Sequence, residues 1–298
     1  MRRCSAATRR RGSTGFCGVI SRQPLAGYLH VSGAASDLFL RYGRARGTFN
    51  DPNVLGAFLV PPALLLLQRI FAGRPRQILK SSIALLVLAA ALLLSFSRGA
   101  WAQFGICTVL LTAVTFAGSR SGAERIRIAA IATYGTLILA LFIAALLSIE
   151  SVADLFKERA SLEQSYDAGY LGRFGRYSLG FDLALDRPLG IGPLQFGNFF
   201  PEDAHNTFLN TFMSGGWLGG FAYLTLTLTT LAAGLRLLFV ATPWRGHYQA
   251  MYIAFIGVAG ESAIIDIDHW RHYFLILGVL WGLMAASRAY PTSNRRAG

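Results

Sequence analysis

The chain has 298 residues, 53% of them hydrophobic and only 14% charged, with a mean hydropathy of +0.44 and a formal net charge of +13. That apolar share excludes a disordered chain, and a charged fraction this far below the roughly 25% of soluble domains argues against an ordinary soluble one. Basic residues sited in short loops between apolar runs report membrane orientation rather than nucleic-acid binding, and the cysteines Cys4, Cys17 and Cys107, with no CxxC pair, suggest neither a zinc site nor a disulfide framework.

Residues 1–46 hold nine arginines and one acid, Asp37, and so supply +8 of the net charge. No apolar core in this arm is long enough for a signal peptide, since the best stretch, 16–20, is soon followed by Arg22. Seven apolar runs then reach or approach the about 20 residues that a bilayer crossing needs. They lie at 54–70, 78–96, 100–118, 126–149, 216–240, 249–265 and 273–287. Pro61-Pro62 falls inside the first, where a kink packed against neighbouring helices is expected. The expected fold class is an all-α polytopic membrane protein with about seven transmembrane helices and one long outer loop.

Orientation follows from the basic loops. Arg69, Arg74, Arg76 and Lys80 follow the first run, Arg120, Arg125 and Arg127 the third, Arg236 and Arg245 the fifth, and Arg288, Arg295 and Arg296 the last. All fall on one side, which the positive-inside rule makes cytoplasmic. The outer side then receives 46–53, the Ser97-Arg98 turn, the segment 150–206 and the loop 266–272. On this orientation the arginine-rich N-terminus would have to be translocated, so the chain reads either as the C-terminal part of a larger membrane protein with upstream helices or as one with a misplaced start. The expected organisation is an arm at 1–45, four spans within 46–149, an outer loop with the histidine motif at 150–215, and three spans with a cytoplasmic tail at 216–298.

The chemistry collects on the outer side. Asn50-Asp51-Pro52-Asn53 is a turn into the first span with Asn53 as a plausible helix cap, and Arg46 precedes it. Arg98 sits between two spans joined by so short a turn that it lies at or just under the interface, where an ionisable group is a functional hypothesis by default. A snorkelling Arg98 beside an interfacial Trp101 is the bland alternative. The segment 150–206 carries nine of the fifteen acids and is too long for an idle connection. At its end comes Ala204-His205-Asn206, with Glu202 and Asp203 beside it, a histidine placed for proton transfer just ahead of an apolar helix. Residues 207–215 read as a short helix entering at the interface, followed by a break at Gly215-Gly216 and then the span proper. Asp266, Asp268 and His269 read as a solvated outer loop rather than a metal site, with Trp270, His272 and Tyr273 as interface anchors. Glu261 is placed to pair with an arginine.

His205-Asn206, nine residues, then Gly216-x-x-Gly219 resembles the signature of the O-antigen ligase and O-antigen polymerase family of bacterial envelope glycosyltransferases. Gly47 to Asn53 opening a span, Ser97-Arg98-Gly99, Gly172-Arg173 with Tyr177 four residues on, and the Pro188-Leu189-Gly190-Ile191-Gly192 turn after Arg187 are similar to that family as well. The resemblance covers roughly residues 43–283, and the family has additional N-terminal spans. It implies transfer of a glycan from undecaprenyl diphosphate to a hydroxyl of lipid A-core, or of another glycan, on the periplasmic side of the inner membrane. No metal or other cofactor and no nucleic acid would take part; the partners would be the lipid-linked donor, the acceptor and membrane lipids.

Arginine forks suit the diphosphate oxygens, which assigns Arg98 and Arg173, with Arg46, Arg176 and Arg187 behind them. His205 would be the base. Asn206 and the glycines Gly216 and Gly219 would be structural, the glycines permitting close helix approach. Ligase and polymerase remain alternatives within the family. From other classes, a transporter or flippase would place ionisable groups at mid-depth, where the spans hold little beyond Gln68, Gln103 and scattered threonines, and an inactive fragment or scaffold would not need the histidine-to-glycine spacing.

Overall fold

The computed structural model describes residues 40–41, 44–73, 75–160, 172–200 and 204–290. Most of the arginine-rich arm, the side chain of Arg173, the acids Glu202 and Asp203 and the tail after Tyr290 lie outside the described residues. The chain divides into two compact units, Met1–Ala160 and Ser161–Gly298.

In the first unit a two-residue antiparallel pair, β1 (Leu40–Arg41) and β2 (Arg44–Ala45), precedes α1 (Pro52–Phe71), α2 (Pro75–Leu94), α3 (Arg98–Ala117), α4 (Gly122–Leu147) and α5 (Glu150–Ala160). In the second, α6 (Arg173–Asp186) and a 3-10 turn (Phe196–Asn198) lead to α7 (Thr207–Leu235), α8 (Arg245–Glu261) and α9 (Arg271–Ala289). Among the described residues six helices, α1 to α4, α7 and α9, are long and apolar enough to cross a membrane. The chain is an all-α polytopic membrane protein. The remaining expected span falls on α8, whose 17 residues are slightly short of the usual crossing.

The centre of the first unit is α1, which packs against α2 and α3 and buries Leu55, Leu59, Val60, Leu64 and Leu67. Pro61 and Pro62 are buried in the same helix, which runs through them from Pro52 to Phe71; the backbone groups that two prolines free are thereby kept among packed neighbours instead of lipid. Near the C-terminal ends of both helices Thr115 Oγ1 donates to Gln68 Oε1 (3.1 Å) and couples α3 to α1. Gly56 brings the next turn in: a Cβ there would meet Ala100 Cβ at 2.6 Å and the Ser95 and Ser97 side chains. The start of α1 and the Ser97-Arg98 turn therefore occupy the same end of this unit.

The core of the second unit joins Ala184 on α6, Phe196, Ala204 and Met213 on α7, with Leu183, Phe200, Leu209 and Phe212 packed around them. Close approach of α6 to α7 depends on Gly180, where a Cβ would meet Leu209 and the Met213 sulfur. The 150–206 segment, read as a loop, thus contains two helices, and α6 is one wall of the core. At the far end of α7, Tyr248 and Tyr252 of α8 donate to the carbonyls of Gly234 and Leu231, both at 2.6 Å.

The expected break in α7 is present. Gly216 has φ 64° and ψ −168° within an otherwise helical run. Its cause differs from the close helix approach expected of Gly216 and Gly219. The Pro188 to Gly192 turn docks into the gap: Ile191 and Gly192 N–H donate to the Met213 and Ser214 carbonyls (2.8 and 3.1 Å), and Trp217 N–H donates to Pro188 C=O (3.0 Å). Gly219 faces Thr211 C=O across the break, within its own helix.

Candidate functional site

At the end of the first unit where α1 begins, Asp51 caps that helix. Its carboxylate accepts the N–H of Asn53 (2.6 Å), and Pro52 occupies the first helical position. Asn53 is not the cap that the sequence reading assigned: proline at the first turn makes the residue before it the cap. Asn53 instead accepts Arg44 Nη2 (2.7 Å), while Arg44 Nε donates to Ser95 C=O (2.9 Å). Arg44, absent from the sequence-based candidates, thus ties the hairpin, the start of α1 and the end of α2 together. Asp51→Ala is expected to lower stability by about 1 kcal/mol, the usual worth of a cap, whereas Asn53→Ala leaves the cap in place; thermal midpoints of the two variants in one detergent compare them directly.

Arg46 is half-buried in a turn closed by Phe49 N–H on its own carbonyl (3.0 Å), followed by Gly47 at φ +57°. Arg98 is the first residue of α3 and half-buried; Ser97 caps that helix through Ala100 N–H (3.4 Å). Trp101 is held by its indole N–H on Leu92 C=O (3.1 Å) and stacks on Phe156. It is a packing residue of this unit as much as an interfacial one.

In the second unit Arg173 opens α6. Arg176, one turn on, is 1% exposed, and Arg187 at the far end of the helix is exposed. The histidine turn is built from three sides. His205 has φ +51°, a left-handed conformation that histidine tolerates better than most residues but still at a cost on the order of 1–3 kcal/mol. The Asp266 carboxylate holds it there, accepting the N–H groups of both His205 and Asn206, each at 3.0 Å. Two successive N–H groups aimed at one anion form a small nest. Asp266 Oδ2 is also 4.0 Å from His205 Nδ1, with side-chain exposures of 13% and 35%.

From a second side, Tyr177 of α6 directs its hydroxyl at His205 C=O (3.1 Å) and Ala263 C=O (3.3 Å). From the third, Asn206 Oδ1 caps α7 through Leu209 N–H (3.1 Å). Thr207 closes the joint: its N–H donates to Ser262 C=O (2.8 Å), its hydroxyl donates to Ile265 C=O (2.8 Å) and accepts Ile267 N–H (2.7 Å).

The loop between α8 and α9 is therefore not the solvated connection read from the sequence. Asp266 is largely buried in the histidine turn, and Asp268 accepts from Asn210 Nδ2 (3.1 Å). Trp270, His272 and Tyr273, expected as interface anchors, are all buried. Glu261, at the end of α8, is buried too.

Beside the turn lies a cleft of about 570 Å³ between α6 and the first half of α7. Its walls are Phe181, Leu185, Phe208, Phe212, Trp217 and Phe221, and its polar lining is Tyr177 and Asn206. One end of an apolar trough thus abuts the residues that hold His205.

Fold and turn together define a polytopic membrane protein with a histidine fixed at the head of a broken transmembrane helix. Residues 83–224 match the family model described as O-antigen ligase. The matched stretch contains Arg98, Arg173, Arg176, Arg187, His205, Gly216 and Gly219, and leaves Arg46, Asn53 and Asp266 outside it. No curated protein and no solved structure matches the chain.

Proposed function

We propose that the chain is an O-antigen ligase-like glycosyltransferase that moves a polysaccharide from undecaprenyl diphosphate to a hydroxyl of lipid A-core or a related glycan, at the periplasmic face of the bacterial inner membrane and without a metal. The observation that carries this reading is the turn holding His205 at the head of α7, against an apolar cleft, inside the stretch that matches the family.

The step needs one base and one anion stabiliser. The acceptor hydroxyl oxygen attacks the anomeric carbon of the donor sugar, and its proton passes to His205. The bond from that carbon to the diphosphate oxygen breaks, and its electron pair leaves with the undecaprenyl diphosphate. Arginine is suited to the charge that develops there because its planar fork pairs with two phosphate oxygens at once and is never deprotonated. Arg98 and Arg173 take this role, with Arg46, Arg176 and Arg187 behind them. The aromatic cleft suits hydrocarbon of the donor's lipid chain, since it presents almost no hydrogen-bonding group along its length.

The test supplies the full chain in detergent with undecaprenyl diphosphate-linked O-antigen and lipid A-core. Polymer-bearing core and released undecaprenyl diphosphate in equal amounts are the expected products, unchanged by a chelator. Lengthened donor with bare core would mean a polymerase instead, and no release from either substrate would overturn the proposal.

A further inference from the structure

Resting on the proposed role of His205, we infer that Asp266 is a positioning residue for that histidine: its carboxylate sets the backbone of the turn and the direction and charge preference of the imidazole. Three observations carry it. Both N–H groups of His205 and Asn206 end on the two oxygens of this one side chain, at 3.0 Å each. The left-handed backbone at His205 brings those two groups onto the same anion. Asp266 Oδ2 then stands 4.0 Å from Nδ1, leaving Nε2 as the ring nitrogen turned from this carboxylate.

The arrangement matches a general requirement. A histidine that takes a proton at one nitrogen works best when the other is oriented and its developing positive charge is met by a fixed anion. His205 lies immediately before a helix N-terminus, whose partial positive charge disfavours an imidazolium. Asp266 opposes that field at the ring itself. Tyr177, by contrast, donates to the carbonyl of His205 and brings no charge. The other titratable and charged groups on the segments that meet this turn are Asp268, His269, Arg271 and His272 beyond Asp266, Glu261 at the end of α8, and Arg173, Arg176, Asp182 and Asp186 on α6.

The experiment compares Asp266→Asn, Asp266→Glu, Tyr177→Phe and His205→Ala in the full chain, reading the rate of undecaprenyl diphosphate release from undecaprenyl diphosphate-linked O-antigen with lipid A-core as acceptor. Asp266→Asn keeps an acceptor for the turn but no charge. Its kcat is expected to fall about 10²-fold, the scale of a misplaced catalytic group, with KM for the donor unchanged. Because a carboxylate beside the ring favours the protonated form, its loss moves the acidic limb of the kcat profile to lower pH. Tyr177→Phe is expected to leave that limb in place.

Should Asp266→Asn not be recovered folded, Asp266→Glu decides: it keeps the charge but displaces it by one methylene, so kcat falls and the limb stays. A wild-type kcat and limb in Asp266→Asn, or a wild-type kcat in Asp266→Glu, overturns the inference while His205→Ala stays inactive. Full activity in His205→Ala overturns both this inference and the reading it rests on.

Discussion

Replacing His205 by alanine is expected to lower transfer by about 10² to 10⁴-fold, the usual contribution of a positioned acid–base group, while donor binding persists. The assay is the initial rate of undecaprenyl diphosphate release, with the polysaccharide pattern of membranes as the second readout. Alanine alone does not isolate the imidazole, because His205 occupies a left-handed conformation that strains a residue with a Cβ. His205→Gly removes the same ring and relieves that strain. Both variants lose the reaction if the imidazole carries the proton. A glycine variant that turns over at the wild-type rate would mean that the residue serves the turn and not the chemistry. The Asp266 nest sharpens the comparison, since its two hydrogen bonds go to backbone N–H groups that survive both substitutions.

The second large effect is on folding. Gly216→Ala is expected to remove the docked turn: a Cβ at Gly216 would fall against Pro188 O, Leu189 C and Gly190 N, and the backbone there occupies a region open essentially to glycine alone. Strain of about 1–3 kcal/mol adds to three displaced backbone hydrogen bonds worth about 1 kcal/mol each. Gly190→Ala meets the same joint from the other side, against Gly216 N and the carbonyls of Met213 and Ser214. Gly219→Ala is mild by comparison, as its Cβ would sit 3.2 Å from Thr211 O and needs only a small adjustment. Thermal unfolding in detergent should rank Gly216 and Gly190 far above Gly219; equal losses at Gly216 and Gly219 would remove the docking explanation.

The membrane helices were legible because a span must be apolar along its whole length, so a continuous run announces it without any periodicity. The break in α7 was legible for a similar reason: two adjacent glycines interrupt a run too long for one crossing. Asn53 was misjudged because two side chains of the same capping type flank Pro52, and only the proline rule separates them. The helices within 150–206 were hidden by polarity and by Gly175 and Gly180, the second of which is there for packing on α7.

Asp266 lay beyond sequence reasoning altogether. It is 61 residues from His205, and no local spacing distinguishes an acid that clamps a distant turn from one that faces water. The same holds for Arg44, whose partners are nine and 51 residues away. Only polar groups bonded across elements reveal these positions, and such bonds leave no period in the chain.

Among the 26 residues of α4, only Ile128 is buried, while Ile126, Tyr134, Leu137, Ile138 and Leu141 are exposed on its flanks. At about 1.5 Å per residue the helix is about 39 Å long, against about 30 Å of hydrocarbon. It is thus covered by its solvent more than by its neighbours, and the end that carries Glu124, Arg125 and Arg127 stands proud of the acyl layer. Acyl-chain length is therefore a structural variable for this protein: a thin bilayer or a small micelle strips cover from α4 before it disturbs the packed core around α1.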